Sequence, residues 1–162
     1  DNQPIAISEG KPGEYNRVLI YPDLGNTIGY NHPLFGKAGL EASLDAYLTG
    51  LKANPASTIW LNELIYSQPP PGLDVRLTID LAIQNTADDL LRGHIGALVL
   101  LNASTGEILT LASHPSYDPN QMDQNWEIWN SDPNAPLLNR ATQGVYPPGA
   151  ALGPCLYTLL SA

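Results

Sequence analysis

A hydroxyl and an amine three positions apart share one face of a helix, where the amine can take the hydroxyl proton as the oxygen attacks an acyl carbonyl. The sequence carries that spacing at Ser8 and Lys11, and with threonine for serine at Thr49 and Lys52. Neither pair is set for the chemistry: the first lies among Gly and Pro, and the second straddles Gly50, a helix-ending residue. Cys155, the single cysteine, has apolar neighbours and no basic residue nearby, which reads as a buried, unreactive thiol that cannot form an internal disulfide. His32, His94 and His114 are spaced too widely for a metal-ligand motif and read as surface or structural histidines. Asp118, Asp123, Glu127 and Asp132 surround Trp126 and Trp129 without the residue order of a calcium loop. The two indoles are candidate glycan contacts, although packing inward to anchor a loop is the simpler role. Glu41 and Asp45, four apart, read as a solvated helix face, since like charges at that spacing repel. No metal and no cofactor are expected.

The chain of 162 residues suffices for one domain or two small ones. Seven Lys and Arg stand against sixteen Asp and Glu, a net charge of -9. That balance excludes nucleic acid as a partner and disfavours an anionic membrane surface. No apolar run is long enough for a membrane span, and no signal peptide is visible. A first residue Asp1 rather than Met reads as a processed or trimmed product, with any anchor lying before it.

The elements that must position these residues follow from periodicity. Residues 1–38 read as a loop-rich lead-in with one strand candidate at 17–21. Leu40, Leu44, Tyr47 and Leu48 trace one face of a helix ended by Gly50, and a second helix is expected over 58–66. Pro69-Pro70-Pro71-Gly72 is the best internal boundary. Residues 74–79 alternate as a strand, and Asp80 caps a helix whose apolar stripe is Ile83, Ala87, Leu90 and Leu91. A hairpin follows, 97–101 and 108–112 joined through Asn102–Gly106, its first strand apolar enough for burial on both faces. A long proline-spaced surface connection leads to a C-terminal helix marked by Leu152, Leu156, Leu159 and Leu160.

In order, GLEASLDAYLTG (39–50), DVRLTIDLAIQ (74–84), GALVLLNASTGEILTLASHPSYDPN (96–120), LLNRAT (137–142) and YPPGAALGP (146–154) resemble a class B penicillin-binding protein. The resemblance implies an α+β fold. A loop-rich, pedestal-like segment, 1–73, precedes an incomplete transpeptidase-like domain, 74–162, with an antiparallel sheet and helices. In active members the last segment reads roughly YPPGSTFKP and opens the helix bearing the Ser-x-x-Lys motif. Aligning Pro148-Gly149 and Pro154 puts Ala150 at the serine and Gly153 at the lysine, with Ala151 and Leu152 where Thr and Phe are usual. Loss of such a nucleophile or base lowers turnover by roughly a million-fold in a hydrolase of another family. The family's downstream Ser-x-Asn and Lys-Thr-Gly motifs do not occur before Ala162.

The expectation is therefore a protein that is not an enzyme: a non-catalytic, extracytoplasmic relative in the bacterial envelope, linked to peptidoglycan synthesis or cell division. It would act by contacts with cell-wall or division-machinery proteins, a missing C-terminal part, another penicillin-binding protein, or peptidoglycan. Two alternatives stand beside it. One is an amino-terminal fragment of a larger D,D-transpeptidase-like protein, and the other is a glycan-binding module built on Trp126 and Trp129.

Overall fold

The computed structural model describes residues 3–11, 14–147, 149–153 and 157. Its lead-in is more regular than expected. Strands β1 (Ala6–Lys11) and β2 (Glu14–Leu19) form an antiparallel hairpin with Ala6 opposite Leu19. The first strand escapes a reading by apolar runs because only Ile5, Ala6 and Ile7 are half-buried, while Ser8, Glu9 and Gly10 face solvent. A 3-10 turn, Pro22–Leu24, leads into the short helix α1 (Gly25–Ile28). Leu19, Leu24 and Ile28 form a buried cluster, and Ile5, Leu40, Leu77, Ile79 and Leu81 pack against it. Residues on both sides of Pro69–Gly72 thus share one core.

Two short strands, β3 (Asn31–His32) and β4 (Gly36–Lys37), precede α2 (Gly39–Ser43) and α3 (Asp45–Leu48). The single helix expected over 40–48 is broken at Leu44, whose backbone leaves the helical region. Gly29 and Gly39 both hold positive φ, 81° and 61°, and a Cβ on either would run into backbone of the facing segment. Only glycine allows that approach. Glu41 corrects the expectation of a solvated face: it is buried, and its Oε1 takes the Arg17 Nε–H at 2.7 Å. Asp45 lies partly exposed and pairs with Lys37. Helix α4 (Ala56–Leu64) matches the second helical reading, with Trp60 and Leu64 exposed.

Residues 74–79 form no ladder, contrary to the strand expectation. They are fixed instead by Thr78 Oγ1, which donates to the Ile108 carbonyl at 2.6 Å, and by Asp80 N–H, which donates to the Leu109 carbonyl at 2.8 Å. Asp80 then caps α5 (Leu81–Leu91), accepting from the N–H groups of Ala82 and Ile83. Of the stripe expected on helix α5, Ala87 is buried and Ile83 and Leu91 are half-buried, but Leu90 is not covered. The inward face of the helix is Gln84, Ala87 and Asp88, whereas Leu90 is 67% exposed.

The hairpin is β5 (Gly96–Leu101) and β6 (Ile108–His114), antiparallel, with Gly96 opposite His114 and a register shift at Leu100/Leu101. Asn102 Oδ1 accepts from Ser104 and Thr105 N–H and Gly106 takes φ 77°, the local chemistry that closes the turn. Burial is the reverse of the expectation. Thr110 to His114 are buried under α5, while Val99 and Leu101 of β5 are 44% and 55% exposed. Among the described residues β5 pairs only with β6.

The connection after β6 also contains a helix that the reading missed. Pro119–Gln121 makes a 3-10 turn and α6 runs from Met122 to Ser131. Met122, Trp126 and Trp129 sit at i, i+4 and i+7, so the helical signal was there among the prolines. Leu152 closes a 3-10 turn, Gly149–Leu152. Cys155, Leu156, Leu159 and Leu160, on which the unreactive-thiol and C-terminal-helix expectations rest, lie outside the described residues.

Candidate functional site

Helix α5 meets β6 through polar side chains. Gln84, 1% exposed, presents its amide to the strand as another strand would: Oε1 accepts from the Leu111 N–H at 2.9 Å, and Nε2 donates to the Leu111 carbonyl at 3.3 Å. The same Oε1 accepts from Thr110 Oγ1 at 2.6 Å, and Nε2 also donates to Asp88 Oδ2 at 3.0 Å. Asp88 Oδ1 meets His114 Nε2 at 3.0 Å, so both carboxylate oxygens are engaged. Burial raises the Asp88 pKa from its usual 3.8 against the opposing pull of the His114 and Gln84 hydrogen bonds, and nearby Asp23 raises it further. A cavity of about 60 Å³ beside this network is lined by Leu24, Leu81, Gln84 and Asp88. A wider cleft of about 400 Å³ lies on the His114 side, between His94, Ser116 and Asn134. Neither is lined by residues 149–153.

A second polar cluster fastens residues 138–143. Ser113, 1% exposed, accepts the Arg140 N–H on Oγ at 2.9 Å and donates the hydroxyl to the Leu138 carbonyl at 3.3 Å. Its own carbonyl accepts from Asn26 Nδ2 at 3.1 Å. Asn139 Nδ2 donates to the Asn26 carbonyl at 2.9 Å, while Asn139 Oδ1 accepts from the N–H groups of Ala141 and Thr142. The Arg140 guanidinium donates to the carbonyls of Asn134, Ala135 and Leu138. Asn26 Oδ1 is buried without a partner among the described residues.

Ala150 lies exposed in the 3-10 turn and Gly153 follows it, also exposed. A Cβ added to Gly153 would meet no atom of the described residues within 4 Å. Ser8 lies on β1, a strand, and its Oγ accepts from Arg17. Thr49 donates to the Asp45 carbonyl, and Lys52 sits over the Tyr47 ring. Those two lookalike pairs therefore lack the helical frame that the chemistry needs.

The aromatic residues serve α6. Trp126 stacks on Phe35 at 4.3 Å and meets Tyr30 edge-on at 6.0 Å, and Trp129 packs against Tyr117 at 5.6 Å. Both candidate glycan-contact indoles are half-buried, Trp126 holding the helix to the lead-in and Trp129 to the connection that follows β6. Burial raises the phenol pKa of Tyr117, helped by neighbouring Tyr30. His32 Nδ1 accepts from the N–H groups of Leu34 and Phe35, so Nε2 carries the proton and donates to Asp123 Oδ1 at 2.8 Å. Sequence reasoning missed Gln84, Asp88, Asn26 and Asn139. The available signal was a pair of polar residues, 84 and 88, four apart on the face that also carries Ala87.

Residues 96–157 match the family model described as penicillin binding protein transpeptidase domain. Peptidoglycan D,D-transpeptidase MrdA of Escherichia coli K12 is 34% identical over 160 residues, covering 96% of this chain and 24% of that protein. Peptidoglycan D,D-transpeptidase PbpA of Mycolicibacterium smegmatis is 32% identical over 164 residues, covering 91% and 33%. Among solved structures, penicillin-binding protein A of Mycobacterium tuberculosis, as a penicillin G acyl-enzyme complex, aligns with TM-score 0.80 at 28% identity over 99% of this chain and 41% of that one. The chain spans about a quarter to a third of the length of the curated relatives it matches. These relatives are named as enzymes, which overturns the expectation of a protein that is not one. That expectation rested on two side chains, Ala150 and Gly153, and on motifs sought in a chain far shorter than its relatives. Among the described residues no helix is long and apolar enough to cross a membrane.

Proposed function

Because the chain belongs to the class B penicillin-binding-protein transpeptidase family, we propose that it serves as the amino-terminal part of a peptidoglycan D,D-transpeptidase, outside the cytoplasm in the bacterial envelope. The observation that carries this reading is the 34% identity to MrdA over 96% of the chain, which takes in the lead-in as well as the α5–hairpin unit. In this role the chain is a frame. Leu19, Leu24 and Ile28 dock the lead-in onto Leu77, Ile79 and Leu81. Helix α5 fixes β6 through Gln84, and β6 in turn holds the segment leading to residues 149–153, which align with the family's Ser-x-x-Lys helix. The exposed apolar face of β5 suits a contact with the remainder of such an enzyme. Its partners are then that remainder, peptidoglycan, and the proteins that build it.

A chimaera tests the frame. Residues 1–143 replace the matching stretch of E. coli MrdA, which keeps its own residues from the serine helix onward, and membranes are exposed to a fluorescent penicillin. A covalent label on the chimaera is expected. A stably folded chimaera that takes no label would sink the proposal.

A further inference from the structure

Helix α6 ends at Ser131, and the chain between it and residues 149–153 is fastened at 138–143 by polar side chains. From Arg140 to Gly149 the described chain contains no long helix or strand, so its course is set by whatever grips its start. That grip is the Ser113–Asn139–Asn26 cluster. Asn139 uses both ends of its amide: Nδ2 reaches the Asn26 carbonyl on α1, and Oδ1 closes the turn at Ala141 and Thr142. Ser113 clamps the flanking backbone on both sides, at the Leu138 carbonyl and the Arg140 N–H. Past the clamp, Gly144 sits where a Cβ would meet both the Arg140 carbonyl oxygen and the Tyr146 ring, so the turn is folded tightly back on the gripped residue. Two elements distant in sequence therefore meet at the stretch 138–140, α1 gripping the Asn139 side chain and β6 the backbone on either side of it.

We propose that Asn139 is a positioning residue which, through Asn26 and together with the Ser113 clamp on its neighbours, fixes where the segment carrying positions 150 and 153 leaves the β6 edge. The catalytic importance of that segment rests on the family reading above. The fastening itself rests on the geometry. Asparagine is needed chemically, because aspartate at this position would keep the turn-closing oxygen yet offer no N–H to the Asn26 carbonyl.

Pulsed electron paramagnetic resonance reads the consequence without any reaction. Nitroxides are placed at Asp89→Cys, on the exposed side of α5, and Ala150→Cys, in a Cys155→Ser background. The parent pair is expected to give one narrow distance peak, which is lost in Asn139→Asp. Ser113→Ala, which removes the hydroxyl clamp with little change of volume, is expected to lose it too and serves as the deciding variant if Asn139→Asp does not fold by circular dichroism. A parent that is already broad, or folded variants that keep its narrow peak, overturns the proposal. The two tests separate: a labelled chimaera with unchanged peaks removes the positioning role alone, and a silent chimaera with lost peaks removes the family role alone.

Discussion

Replacing Asp88 by alanine is expected to destabilise the fold by about 2–5 kcal/mol, read by urea denaturation at pH 7. The residue is 1% exposed, and its removal leaves the Gln84 amide and the His114 imidazole without their shared acceptor. A loss below about 1 kcal/mol would show that the network relaxes without consequence. The milder Asp88→Asn variant brings out a pH signature. In the folded chain the carboxyl pKa is raised, so the unfolded chain gives up this proton first as pH rises through the ordinary carboxylate range. The wild type then loses stability from this group until the raised pKa is passed, and below that range the loss is absent. The amide has no such titration. The stability difference between wild type and Asp88→Asn is therefore expected to be largest in acid and to narrow toward neutrality. A difference that widens with pH would contradict the raised pKa.

Leu24→Ala is expected to cost about 2–5 kcal/mol by the same measurement. Leu24 is 1% exposed at the centre of the cluster joining the lead-in to residues 77–81, and it already borders the cavity of about 60 Å³. Truncation enlarges an existing void. Since Asp88 lines the same cavity, the double variant should depart from additivity by about 0.5 kcal/mol or more. Strict additivity would indicate that the core and the polar network are separate units. A Leu24→Ala effect near zero would mean that the lead-in is not fastened by this cluster.

What was legible in the sequence follows physical lines. Asp80 read as a cap and accepts two amides as one, and the hairpin with its Asn102–Gly106 turn stands where apolar runs and turn residues placed it. Periodicity failed wherever polar side chains were buried. Gln84 took the inward face of α5 because β6 offers it backbone partners, and Asp88 because the Gln84 amide and the His114 ring meet its carboxylate, which no hydrophobic stripe can announce. Glu41 went inward because Arg17, 24 positions earlier, meets it. β5 was assigned to the interior on composition, although burial depends on what lies opposite. Of the candidate site, Ala150 and Gly153 were reachable only through the family resemblance. The Asn26–Ser113–Asn139 fastening joins residues more than 80 positions apart, and local pattern does not reveal it.

The side-chain amide that pairs with Leu111 has a counterpart: Asn120 Oδ1 takes the Leu19 N–H and Nδ2 returns to the Leu19 carbonyl, each at 2.9 Å. A hairpin whose register depended only on its turn could slip by one residue and turn every side chain to the opposite face. Here β2 and β6 are each keyed at a single residue by an amide from another element. A slipped β6 would present Gln84 with the wrong residue and strand Thr110 and Asp88 as well. The two amides act as alignment pins, making the misregistered hairpins costly competitors in folding even where the apolar residues of β5 would tolerate the shift.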